Sequence, residues 1–194
     1  MNNEIPDWNE AGILPPISVS SPTSYDRSPY KTNTIELVRR YAFNKQRISI
    51  LNGFLKFRSR LYALGIDSGF QWVDGSFTEN IELMENRPPN DIDVVTFFNV
   101  PEGHSQQSLM KQHAKLFHPA HAGWRKDYFM VDAYWQPLSS TPEILVEGAV
   151  YWYSMWAHKR DLSWKGFLQV PLSESDDIQA INILKELISG GSDE

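Results

Sequence analysis

The chain has 194 residues, a formal net charge of −6, 41% hydrophobic and 13% aromatic residues, and no cysteine. That length fits one domain with a full core, and the missing cysteines exclude disulfides and cysteine-based zinc or redox chemistry. The negative balance argues against a large, sequence-independent contact with a nucleic-acid backbone, while leaving room for a local basic groove.

Residues 1–31 carry Pro6, Pro15, Pro16, Pro22 and Pro29 among Ser and Asn, which predicts an extended leader. Ile13, Leu14, Ile17 and Trp8 are expected to pin that leader to a single domain over 32–194. Met1-Asn2-Asn3-Glu4 lacks the basic start of a signal peptide. No apolar run approaches the roughly 20 residues that span a bilayer. A soluble, cytoplasmic protein without membrane contact is expected.

A helix is predicted from Thr34 to Phe43, with Thr32 or Asn33 as N-cap, and a second from Lys45 to Leu64, ended by Gly65. Ile48, Leu51, Phe54, Leu55 and Leu61 give the second helix an apolar face. Arg39, Arg40, Lys45, Arg47, Lys56, Arg58 and Arg60 make the region basic. A solvated helix face is the simpler reading of these charges, and a surface facing phosphate or RNA the sharper one.

Phe70 to Val73 reads as a core strand, Phe77 to Met84 as a short helix and Asn90 to Phe98 as a second strand. Gln106 to Phe117 reads as a helix, His118 to Gly123 as a turn and Tyr128 to Trp135 as a third strand. For Glu143 to His158, length favours helix and β-branched and aromatic content favours strand. Trp164 to Leu172 predicts a short strand, and Ser175 to Ser189 a final helix stopped by Gly190-Gly191. Strands interleaved with helices indicate an α+β or mixed α/β fold, a small mixed sheet with helices packed on it.

The chemistry concentrates between Phe70 and Trp135. Asp91 and Asp93 stand two apart in a strand, so they project together, and adjacent carboxylates repel unless a proton or a divalent cation sits between them. Asp132 lies in a later apolar strand, where a lone carboxylate is costly unless paired or ligated. With those strands adjacent, the three aspartates outline a two-metal site, with ions roughly 3.5–4 Å apart in such enzymes. Gly75-Ser76 follows the first strand; glycine permits close backbone approach to phosphate and the hydroxyl adds a donor, although most such pairs are ordinary turns. Asp74 is expected to cap or hydrogen-bond. Lys159, Arg160 and Lys165 flank Trp164 and could meet phosphate while the indole stacks on a base, or could be plain surface charge. The five histidines show no metal-ligand spacing.

Gly75-Ser76, then Asp91-x-Asp93, then Asp132 resembles the nucleotidyltransferase superfamily that includes DNA polymerase beta, and is most similar to its small bacterial members. The motif covers about residues 66–135. More loosely, Trp8 to Pro16 and Lys165-Gly166 resemble the leader and a late strand of short bacterial proteins of unassigned function. The gap from Ser76 to Asp91 is slightly long for the superfamily, which places a longer loop at Glu82–Pro89.

The resemblance implies a nucleotidyltransferase-like core in which Asp91, Asp93 and Asp132 hold Mg²⁺, with Mn²⁺ as a substitute. It implies transfer of NMP from an NTP, such as ATP, to a hydroxyl on a protein, a small molecule or an RNA end, releasing pyrophosphate. Gly75, Ser76, Arg160 and Lys165 would bind the nucleotide, and Asp132 would sit near the attacking hydroxyl. Small bacterial members include antitoxin-type enzymes that adenylylate a toxin and others encoded with phage-defence genes, so a partner protein encoded nearby is a further expectation. Nothing resembles a second domain to hold a long duplex. The alternative is a catalytically silent module that binds a nucleotide or a partner with the same fold.

Overall fold

The computed structural model describes residues 4–190. Its strands are β1 (Tyr30–Lys31), β2 (Gly69–Asp74), β3 (Ile92–Phe98), β4 (Val131–Pro137) and β5 (Leu168–Pro171). They form one five-stranded sheet in the order β1-β5-β2-β3-β4. β2 is antiparallel to both β3 and β5, while β3–β4 and β1–β5 are parallel. The helices are α1 (Thr34–Tyr41), α2 (Lys45–Tyr62), α3 (Ile81–Glu85), α4 (Gln106–Gln112), α5 (Ala114–Phe117), α6 (Ala122–Phe129), α7 (Pro142–Trp156) and α8 (Glu174–Gly190). The fold is α+β, as the interleaving of strands and helices implied.

Alternation along the strands divides the sheet into two faces. Val73, Val94, Ala133, Leu168 and Val170 point into the main core with Leu37, Ile50, Phe54 and Leu184 from α1, α2 and α8. Trp72, Val95 and Phe97 point the other way, into a smaller cluster with Phe167 and with Trp152 and Trp156 of α7. α7 is helical throughout, so length decides over β propensity there.

Caps set the first two helices. The side chains of Asn33 and Asn44 accept from the backbone N–H groups of Glu36 and Arg47, at 2.8 and 2.9 Å. α2 then carries two fully buried arginines. Arg58 donates to Asp177 Oδ2 and Gln71 Oε1, both at 2.6 Å, and to the Pro171 carbonyl at 2.7 Å. One guanidinium thereby joins α2 to β2, β5 and α8. Arg47 donates to the carbonyls of Phe77 and Glu79, both at 2.6 Å, and to Glu82. It holds the turn that follows β2.

The leader is ordered by burial of Ile5, Ile13 and Leu14. It contributes β1, a strand its prolines did not suggest. It also clamps two later segments: Trp8 Nε1 donates to the Thr78 carbonyl at 2.8 Å, and Gly166 N–H to the Leu14 carbonyl at 2.7 Å.

Three expectations need correction. The predicted helix from Gln106 to Phe117 breaks at His113 into α4 and α5. The Glu82–Pro89 loop is helical in its first half, as α3. The third strand starts at Val131 rather than Tyr128, because Tyr128 and Phe129 close a helix, α6, where the sequence predicts turn and strand. Met130, at φ 56°, makes the transition in the left-handed region. α6 is held from both sides: Arg125 donates to the His118 carbonyl at 3.0 Å, and Gly53 of α2 lies so close that a Cβ there would meet the Phe129 carbonyl oxygen at 2.0 Å. Among the described residues no helix is long and apolar enough to cross a membrane.

The Arg58–Asp177 pair is fully enclosed, so removing one partner strands a buried charge. Asp177→Ala is expected to lower the unfolding free energy by about 3–5 kcal/mol, read from urea denaturation, with a loss below about 1 kcal/mol contradicting the assignment.

Candidate functional site

Register builds the site. β2 and β3 pair Asp74 with Asp93, and β3 and β4 pair Asp93 with Asp132. Directly paired residues share a sheet face, so these carboxylates form a row across adjacent strands. Asp91 joins them from the residue before β3. Asp91, Asp93 and Asp132 each offer an oxygen within 4.8 Å of the others. The sequence-derived triad therefore converges on one point.

The four aspartates are neutralised unequally. Asp74 is buried and paired with Lys165 at 3.0 Å, and Lys165 also bonds Glu79 at 2.8 Å. Burial pulls the Lys165 ammonium toward neutrality, but Asp74 and Glu79 outweigh it and hold the charge. Lys126 of α6 bridges Asp91 at 3.0 Å and Asp132 at 2.7 Å. The carboxylate of Asp93, partly buried, has neither ion pair nor hydrogen bond among the described residues. Burial, and then the charges of Asp91, Asp74 and Asp132, push its carboxyl up to about 7.

Gly75 shapes the floor. Its φ is +84°, and a Cβ there would meet Asp93 Oδ2 at 2.1 Å, so only glycine lets the chain pass this carboxylate. Ser76 opens a short 3-10 turn, and its hydroxyl has no partner among the described residues. Arg47 and Trp8 fix the far end of that turn through the carbonyls of Phe77, Glu79 and Thr78.

Gly75, Ser76, Glu79, the Asp91–Asp93–Asp132 triad and Lys126 line a cleft of about 650 Å³, together with Arg87 from the α3–β3 connection and with His158 to Asp161, the segment after α7. The structure separates the expected cations. Arg160 is exposed on the cleft and has no side-chain partner among the described residues. Lys165 lines the cleft, and its ammonium is engaged by Asp74 and Glu79. Lys159 approaches Glu79 at 3.8 Å and still borders the cleft. Trp164 is 65% exposed and is not among the residues that line the cleft. Asp74 hydrogen-bonds as expected, accepting from Thr78 Oγ1 at 3.2 Å.

Lys126 escaped the sequence reading, because it belongs to the unanticipated α6. Glu79 and Arg47 escaped it too, since nothing local ties them to residues 86 and 30 or more positions away. His118 and His121 lie in the turn before α6 and join no ligand cluster among the described residues.

The donor set suits a hard divalent cation: three carboxylates, all oxygen, around a point where the protein already seats an ammonium. Comparison with curated proteins found no match, and neither did comparison with solved structures. One family matches residues 6–171, spanning the leader, the sheet and the cleft, and the chain belongs to it: the family of unknown function DUF6932.

Proposed function

We propose that this protein is a metal-dependent nucleotidyltransferase that moves NMP from an NTP to a hydroxyl acceptor and releases pyrophosphate. The observation that carries the reading is Asp93, an unpaired, partly buried carboxylate within 4.8 Å of Asp91 and Asp132. Such a group calls for a cation, and its neighbours are the oxygen ligands that Mg²⁺ or Mn²⁺ accepts.

Asp91, Asp93 and Asp132 would hold the metal, which when bound neutralises phosphate charge and lowers the pKa of an acceptor hydroxyl. The chain's own residues supply the rest. Gly75 leaves the floor open to close approach, and the free Ser76 hydroxyl donates to a phosphate oxygen. Arg160, with Lys159 behind it, offers charge-assisted hydrogen bonds to the remaining phosphates. Lys165 keeps Asp74 and Glu79 from adding repulsion beneath the nucleotide. The Asp132 carboxylate would receive the proton of the attacking hydroxyl.

A second reading, a silent module that binds without turnover, has one specific observation in its favour. The Lys126 ammonium already bridges Asp91 and Asp132, and a protein that never takes up metal could use it as a permanent substitute.

Transfer of label from each α-³²P-NTP, with Mg²⁺ or Mn²⁺ and cell lysate as acceptor source, is the direct test. Label on a protein, RNA or small molecule should depend on the carboxylates, and Asp91→Asn/Asp93→Asn should remove it by a factor of about 10² or more. Absence of label with all four nucleotides, while NTP binding persists, would move the assignment to the silent module.

Stability should report the same site through pH. The folded-state pKa of Asp93, about 7, lies above the ordinary 3.8. Between those values the folded state holds a proton that the unfolded state has lost, so this carboxylate erodes stability as pH rises through that window. At pH 8 Asp93→Asn should stabilise the metal-free protein by about 2–4 kcal/mol, after allowance for partial exposure. Mg²⁺ should raise the melting temperature of wild type more at pH 8 than at pH 5, and that of the variant little at either. A larger Mg²⁺ effect at pH 5 would be the opposite of this linkage.

Lys126→Ala separates the two readings. Removing the competing ammonium should tighten Mg²⁺ binding by about tenfold, equivalent to about 1.4 kcal/mol, measured by titration calorimetry. No metal binding by either wild type or Lys126→Ala would leave the silent module as the better account.

A further inference from the structure

Away from the cleft, the basic stretch of α2 divides. Arg47 and Arg58 turn inward and are buried. Lys56 and Arg60, one helical turn apart, are exposed and border two adjoining recesses of about 570 and 220 Å³. Lys185 of α8 enters the larger recess, and Lys115 of α5 sits 5.5 Å above the Trp124 ring that lines the smaller one. No carboxylate lines either recess. None of these four cations has an ion pair among the described residues. A chain of net charge −6 thus keeps an acid-free, unneutralised basic groove.

Aromatic rings complete it. Trp124 and Tyr128 stand one turn apart on α6 and stack at 5.2 Å with an interplanar angle of 9°. Tyr128 is 58% exposed, although a large aromatic side chain gains by burial. Arg60, Tyr128 and Phe129 line both recesses and make them one continuous surface. Lys126 is two residues from each of Trp124 and Tyr128, about 200° around the helix, so α6 presents one face to the carboxylates and the other to the groove.

We infer that this groove binds single-stranded nucleic acid. Unpaired cations meet the phosphates, and the Trp124–Tyr128 stack offers a base its platform. An acidic protein segment would use the cations and leave the rings idle. A duplex keeps its base faces covered and gains nothing from them. The inference stands on the groove alone and does not require turnover at the carboxylates.

The test is fluorescence anisotropy of a labelled single-stranded RNA of about 12 nucleotides, a length spanning a typical single-strand site, with the full chain from about 50 to 200 mM salt. Wild type should bind with an affinity that falls with salt. Lys56→Gln/Arg60→Gln should flatten the log–log salt slope by about 1.4, at about 0.7 per lost phosphate contact. Tyr128→Ala should weaken binding at least about fivefold while leaving that slope unchanged. Asp91→Asn/Asp93→Asn should bind as wild type does, separating this groove from the cleft. All substituted groove residues are exposed, so circular dichroism should show the fold intact. The inference is overturned by absence of salt-dependent binding, by equal affinity for a blunt duplex, or by Tyr128→Ala binding as wild type while poly-glutamate competes as well as RNA.

Discussion

Direct pairing of Asp74, Asp93 and Asp132 across β2, β3 and β4 puts like charges on neighbouring strands, with Asp91 close by. Such a row opposes folding unless its members are neutralised. Two lysines share the work from opposite sides. Lys165 takes Asp74 inside the protein, and Lys126 spans Asp91 and Asp132 at the cleft. Asp93, between them, is left to carry its charge alone, and its carboxyl rises to about 7. The imbalance is local and specific: the outer aspartates are ion-paired, and the central carboxylate has no ion pair or hydrogen bond among the described residues.

The surroundings hold this arrangement in place. Arg58 ties α2 to β2, β5 and α8, so the strand that ends at Asp74 is anchored at its other end through Gln71. Arg47, on the same helix, fixes the turn that carries Gly75 and Ser76. The leader adds a second clamp on that turn through Trp8, and one on the segment of Lys165 through Leu14. The motif Trp8 to Pro16 and the pair Lys165-Gly166, far apart in the chain, are thus one structural feature. A Cβ at Gly166 would meet the Pro15 carbonyl oxygen at 2.6 Å, which is why this contact needs glycine.

α6 links the cleft to the proposed groove. It is short, pressed against α2 at Gly53 and braced by Arg125. Its one lysine toward the carboxylates and its two rings toward the groove come from alternate positions, 124, 126 and 128. In sequence Tyr128 and Phe129 run on into Met130 and Val131 as one apolar stretch, and that is why the end of the helix was not legible. Only the left-handed turn at Met130 separates the two conformations, and methionine carries no local signal for it.

Local chemistry determined much of this protein. Hydrophobic periodicity located α2 and α8, a Thr32 or Asn33 cap marked the start of α1, and the apolar flanks of Asp93 and Asp132 placed both on strands. The α+β class and the candidate triad followed from those features, because period and neighbouring residues act within a few positions. Charge did not resolve in the same way. Seven cations between Arg39 and Arg60 look alike in the sequence, yet burial by distant elements makes Arg47 and Arg58 structural and leaves Lys56 and Arg60 open to solvent. Tertiary structure alone decided that Lys165 turns to Asp74 and Glu79 and that Lys126 reaches the triad. It also decided that Asp93 stays unpaired, since the partner of a charge is chosen by which strands and helices come together, and no local pattern encodes that choice.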